Sequence, residues 1–305
     1  ADGRSAEGKA IWVIRNGEFD VSNIDFIGAR VEDRNGAGIR FENGHLTVRH
    51  CLFWAGENGI LTTSGPEFSQ ARLEIESSEF GYNGHGDGQS HGIYVGGIGS
   101  LRVTGSYFHH GNVGHLIKSR AAINEIYYNR ITDEPGGRAS YEIDLPNGGI
   151  AAIVGNIIQQ SRDTENSTLI SFGPEGYTRA ENRLFLMSNT LVNELSTGGA
   201  FLRAAPGASS IVLANNVTSG PGRYHTSDVT QTLNDVSGGE ELFVDPLQHD
   251  YRLSALGRKQ RFQKPVASTY RHFTLDPQAE YAHPRSVRTL SAPPAYPGAV
   301  QSTPQ

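Results

Sequence analysis

Apolar and polar residues alternate in short bursts along most of this chain, and the bursts recur. Three segments align without gaps: LTVRHCLF (46–53), LEIESSEF (73–80) and LRVTGSYF (101–108). Each reads Leu-x-Val/Ile-x-x-x-x-Phe, with starts 27 and 28 residues apart. Weaker copies are EIYYNRI (125–131), AIVGNII (152–158), FLMSNTL (185–191) and VLANNVT (212–218), with DVSNIDF (20–26) as an earlier one. A second strand recurs in the same register after a Gly or Asn turn: GAGIRFE (36–42), NGILTT (58–63), HGIYVGG (91–97), HLIKSR (115–120), YEIDLP (141–146), TLISFG (168–173) and AFLRAA (200–205).

Gly, Asn, Asp and Ser between the strands tolerate the positive φ of sharp corners, and no helical period competes. A unit of this length cannot bury its own apolar face, but it can when stacked on its neighbours. The fold class predicted is therefore all-β: a right-handed parallel β-helix whose coils stack at the strand spacing of about 4.8 Å. A β-propeller blade needs a period of about 40–50 residues, and a sandwich would show hairpin turns without a recurring motif.

The pattern weakens toward the end, which divides the chain into three parts. Residues 1–219 are coils, and residues 220–262 are an irregular loop followed by a last coil. Residues 263–305 are a Pro-rich tail expected to run extended along the outside and to cover the end of the solenoid.

The alternation assigns faces. In HLIKSR, Ile117 and Ser119 point inward, while Leu116, Lys118 and Arg120 point outward. In YEIDLP, Ile143 and Leu145 point inward, while Glu142 and Asp144 point outward. One repeat separates Ile117 from Ile143, so Lys118 should sit over Asp144. Around this basic and acidic pair the reading gathers His91, Tyr94, His109, His110, His115 and Arg138.

Composition narrows the function. The chain has 305 residues, of which 37% are apolar and 19% charged, with a net charge of -6. That charge, with no basic run, argues against nucleic acid as a partner. No apolar run is long enough for a membrane helix, and a single cysteine, Cys51, excludes an internal disulfide. The opening ADGRSAEGKAIWVI carries neither an initiator Met nor a signal peptide and reads as a mature or trimmed chain. A polymer substrate would place it outside the cell or in the periplasm.

Two reactions fit these residues. The first is β-elimination on a uronic-acid glycan, which needs cations on the substrate carboxylate, a base for the C5 proton and an acid for the leaving oxygen. Lys118 or His115 is the candidate base, Tyr94 or His115 the acid, and Arg120 or Arg138 a carboxylate fork. The second is hydrolysis by Glu142 and Asp144. A third reading has no chemistry at all: a carbohydrate-binding or surface-structural solenoid with Tyr94, Tyr127 and Tyr128 as stacking platforms.

The stacked motifs NGAGIRFE, ENGILT, SHGIYVG, HLIKSRA and YEIDLPNGG resemble a bacterial family of right-handed β-helix repeat proteins within the pectate-lyase-like superfamily. Its members include lyases, epimerases, hydrolases and non-catalytic domains. HLIKS is also similar to the strand of chondroitinase-B-like and alginate lyases that carries a catalytic Lys, which implies that role for Lys118. Those enzymes place acidic calcium ligands just before that Lys, where this chain has Val113, Gly114 and His115. No cofactor is therefore expected, and HGDGQSH (85–91) reads as a Gly-rich corner rather than an ion site.

Overall fold

The corners of the repeat shape the molecule. The recurring strands from Glu18–Ser22 to Val229–Leu233 are each followed by a residue with positive φ, including His50 (52°), Ser77 (48°), Tyr128 (55°), Ser188 (53°) and Asn215 (54°). The next residue turns its side chain into the corner and bonds to the coil before it. The backbone N–H groups of Asn129, Asn156 and Asn189 donate to the Oδ1 atoms of Asn156, Asn189 and Asn216 at 2.9, 2.9 and 3.0 Å. The Nδ2 groups of Asn156, Asn189 and Asn216 donate back to the carbonyls of Ile126, Ile153 and Leu186 at 2.8 Å each. Ser78 and Ser106 continue the ladder toward the N-terminus, and Asp235 ends it. Each Asn thus satisfies a buried donor and a buried acceptor that a bend would otherwise leave unpaired.

The computed structural model describes residues 5–265 and 267–303. These form a right-handed parallel β-helix with three faces of nine parallel strands, each strand pairing with those one coil away. The first face runs from Ala10–Ile14 to Gly222–His225, the second from Glu18–Ser22 to Val229–Leu233, and the third from Asp25–Ile27 to Val236–Gly238. Inside, Phe26, Phe53, Phe80 and Phe108 stack with centroids 4.9, 4.6 and 4.5 Å apart and planes within 8°. Register continues the column through Ile131, Ile158 and Leu191.

Residues 220–241 depart from the sequence reading. They are not an irregular loop but the ninth coil, with strands Gly222–His225, Val229–Leu233 and Val236–Gly238. The coil is short, only 19 residues from Asn216 to Asp235, and its strands GRYH, VTQTL and VSG carry few large apolar residues, which hides the period. Phe243–Asp245 and Asp250–Leu253 form an antiparallel hairpin outside the three sheets rather than a further coil.

The tail packs along the flanks. Phe273 and Leu275 cover the outer side of the second face at Tyr127, Val154 and Phe185. Tyr281 and Ala299 join the hairpin's Phe243 and Tyr251 over the third face at Ile157, Val192 and Val217. Tyr127 is buried and Tyr128 half-buried there, its hydroxyl accepting from the Gln278 N–H at 2.9 Å. Neither is a platform for sugar rings. No described residue is a helix long and apolar enough to cross a membrane.

Candidate functional site

One outward column of the first face holds a residue per coil: Val13, Arg40, Leu61, Tyr94, Lys118, Asp144, Ser171, Arg203 and His225. The middle of this column holds the candidate site. Lys118 pairs with Asp144 in register, and its Nζ lies 3.7 Å from Asp144 Oδ2 and 3.9 Å from Glu175 Oε1. His115 Nε2 is 3.6 Å from the same Asp144 oxygen. Arg120 donates from Nε to the Tyr94 hydroxyl at 3.2 Å and from Nη1 to Asn147 Oδ1 at 2.6 Å. Its guanidinium also forks onto Glu175, Nη1 to Oε2 at 2.6 Å and Nη2 to Oε1 at 3.0 Å. Both cations lie against the Tyr94 ring, 5.5 and 5.8 Å from its centroid.

Burial tunes these groups. Asp144 is 3% exposed; desolvation raises its carboxyl to about 6, while the nearby Lys118 ammonium and Ser171 hydroxyl oppose the rise. His115 is pushed down to about 3 by burial and by Lys118, so its imidazole is neutral at ordinary pH. Glu175 moves the other way, held below the usual carboxylate range chiefly by its hydrogen bonds to Arg120.

The sequence reading placed Lys118, Asp144, His115, Arg120 and Tyr94 together, and they are together. Several other assignments change. Glu142 does not point outward, because the strand begins at Ile143 and alternation does not reach back to it. Its in-register neighbours Leu116 and Leu169 belong to the core, so Leu116 is inward as well. Glu142 is fully buried with neither carboxylate oxygen hydrogen-bonded, and its pKa is well above the usual value through burial and the proximity of Asp133. It cannot flank a substrate bond.

His91 is 2% exposed and serves as scaffold: its ring stacks on His115 at 4.6 Å, and its Nδ1 accepts the His115 backbone N–H at 3.0 Å. His109 and His110 stand at the end of a third-face strand, on a different side of the solenoid. There His109 stacks on Tyr107 at 4.2 Å, and His110 stacks on Tyr82 at 4.5 Å. Arg138 is ion-paired with Glu165, not with Asp144 or Glu175 beside Lys118.

Sequence reasoning missed Glu175 and Asn147. Both sit in loops after first-face strands, where no periodic pattern marks a residue. Among the described residues no three His, Cys, Asp or Glu side chains are grouped as metal ligands. No family model, curated protein or solved structure matches this chain.

Proposed function

We propose that this protein binds an acidic polysaccharide along its first face and cleaves it by β-elimination beside Lys118. The observation that carries the reading is the Glu175 carboxylate forked on Arg120 and lying within 3.9 Å of Lys118 Nζ. The two cations already accommodate one carboxylate with the geometry that favours Arg–carboxylate recognition. A substrate uronate takes that place when Glu175 moves aside, and the paired cations then stabilise the charge that grows on the carboxylate as the C5–H bond breaks.

The roles follow from the environments. Asp144, with a pKa of about 6, is a stronger base for the C5 proton than His115 at about 3. Electrons from the C5–H bond form the C4–C5 double bond, the C4–O4 bond breaks, and the Tyr94 hydroxyl protonates the leaving oxygen. His115 stands beside Asp144, and His91 holds His115 by ring stacking and by accepting its backbone N–H.

A second reading has its own observation. Asp144 and Glu175 are two carboxyls near Lys118 whose pKa values are pushed apart, the arrangement of an acid and a base in glycoside hydrolysis. Product chemistry separates the two. Incubation with polymers of galacturonate, mannuronate or glucuronate should generate the ultraviolet absorbance of an unsaturated uronate. New reducing ends without that absorbance would replace elimination by hydrolysis, and neither product would leave a binding solenoid.

A further inference from the structure

The first face carries two further guanidiniums, with a histidine beside them, farther along the solenoid. Arg203 and His225 are the last two residues of the outward column, and Arg223 lies two positions before His225 on the same side of its strand. All three are exposed, and together with Thr197, Gly198 and Pro221 they line an open recess of about 620 Å³. Among the described residues Arg203 and Arg223 form no ion pair, although the chain is acidic overall and Lys118 and Arg120 on the same face are both neutralised. Arg203 Nε makes only a 3.5 Å contact with the Thr168 hydroxyl.

Unpaired guanidiniums facing one recess are suited to an anion, because each can present two parallel N–H donors. Position decides which anion. Lys118, Asp144, Ser171 and Arg203 follow one another in register, so three rungs separate the two cationic groups. At the spacing of adjacent strands that is about 14 Å, the reach of a short oligosaccharide lying parallel to the solenoid axis.

We propose that Arg203, Arg223 and His225 form a second carboxylate subsite, which holds another uronate of the same polymer whose reacting sugar lies at Lys118. The proposal rests on the function given above and specifies its substrate: a chain acidic at more than one residue and long enough to span both groups. Nothing covalent happens at the distal site. It binds and sets the register of the polymer.

The test is calorimetric titration of the full chain with uronate disaccharides and hexasaccharides, in an Asp144→Asn background that prevents turnover. Arg203→Gln/Arg223→Gln should weaken hexasaccharide binding by about tenfold, the scale of losing charged hydrogen bonds, and leave disaccharide binding within about twofold. Arg203→Lys/Arg223→Lys, which keeps the charge and loses the fork, should fall between. Equal hexasaccharide affinity in the parent and the Gln variant would overturn the distal subsite and leave the Lys118 site standing. Equal loss for both lengths, or a lowered melting temperature in both double variants, would also overturn it. No binding of any uronate oligomer by the parent chain would remove both proposals together.

Discussion

Glu175 and Arg120 are 55 residues apart in sequence and joined by two parallel hydrogen bonds of 2.6 and 3.0 Å. The carboxylate is about half exposed and the guanidinium mostly covered, so the movable partner is the acid. Glu175→Gln should leave the fold intact and raise the affinity of Arg120 and Lys118 for a free uronate. Because partly exposed ion pairs contribute about 1 kcal/mol or less, the gain expected is about threefold to fivefold. Titration with a monomeric uronate measures it, and weaker binding by the variant would mean that Glu175 helps to hold the ligand.

The acid–base assignment predicts a pH profile. Asp144 accepts a proton only when ionised, so kcat/KM should fall on the acid side with a midpoint near 6. Lys118 opposes the desolvation of that carboxyl, so Lys118→Gln should move the midpoint upward by roughly one unit while slowing the reaction. Asp144→Asn should cost about 10²–10⁴-fold in rate. A midpoint unmoved by Lys118→Gln would assign the base elsewhere.

Glu142 and Asp133 make a prediction about stability. Burial raises Asp133 to about 7 and Glu142 well above its ordinary range, so both stay protonated in the folded protein where the unfolded chain has released its protons. The stabilisation they give is complete below the unfolded carboxyl pKa and is lost as pH rises through the folded values. His115, lowered to about 3, contributes in the opposite sense, its share being lost as pH falls. The difference between parent and variant isolates the carboxyl: Glu142→Gln should be nearly neutral at pH 4 and stabilising by about 1–3 kcal/mol at pH 8. Denaturant midpoints at the two pH values test this.

The Asn ladder should respond cooperatively. Asn156→Ala removes the Oδ1 that serves the Asn129 backbone N–H and the Nδ2 that serves the Ile126 carbonyl, both deep in the corner. Two buried groups left unpaired cost about 2–5 kcal/mol. Replacing exposed Asn35 by Ala should change the melting temperature little, which makes it a suitable control.

Much of this was legible in the chain because three of its strand copies share one spacing. The Leu and Phe of LTVRHCLF, LEIESSEF and LRVTGSYF are the in-register core residues Leu46, Leu73, Leu101, Phe53, Phe80 and Phe108. The same register placed Lys118 on Asp144. Alternation failed at the strand edge, where Glu142 turns inward. The column before Ile39, Ile60, Ile93, Ile117, Ile143 and Ile170 reads Gly38, Gly59, Gly92, Leu116, Glu142 and Leu169, and a Cβ at Gly38 or Gly59 would meet Phe53 or Phe80. That run of small and apolar residues marks an interior position, which read alone YEIDLP conceals. His109 and His110 were grouped with Lys118 by closeness in sequence, but they end a third-face strand, and the solenoid separates what the chain keeps adjacent. Glu175 was invisible because its place depends on how a loop folds back over Arg120.

The in-register column of side chains on the first face makes the protein a gauge. Because each coil contributes one notch of about 4.8 Å, the interval between Lys118 and Arg203 can be altered only in whole notches. Duplicating or excising one complete coil between them would reset the length of polymer that engages both ends, while the graduations on either side stayed as they are.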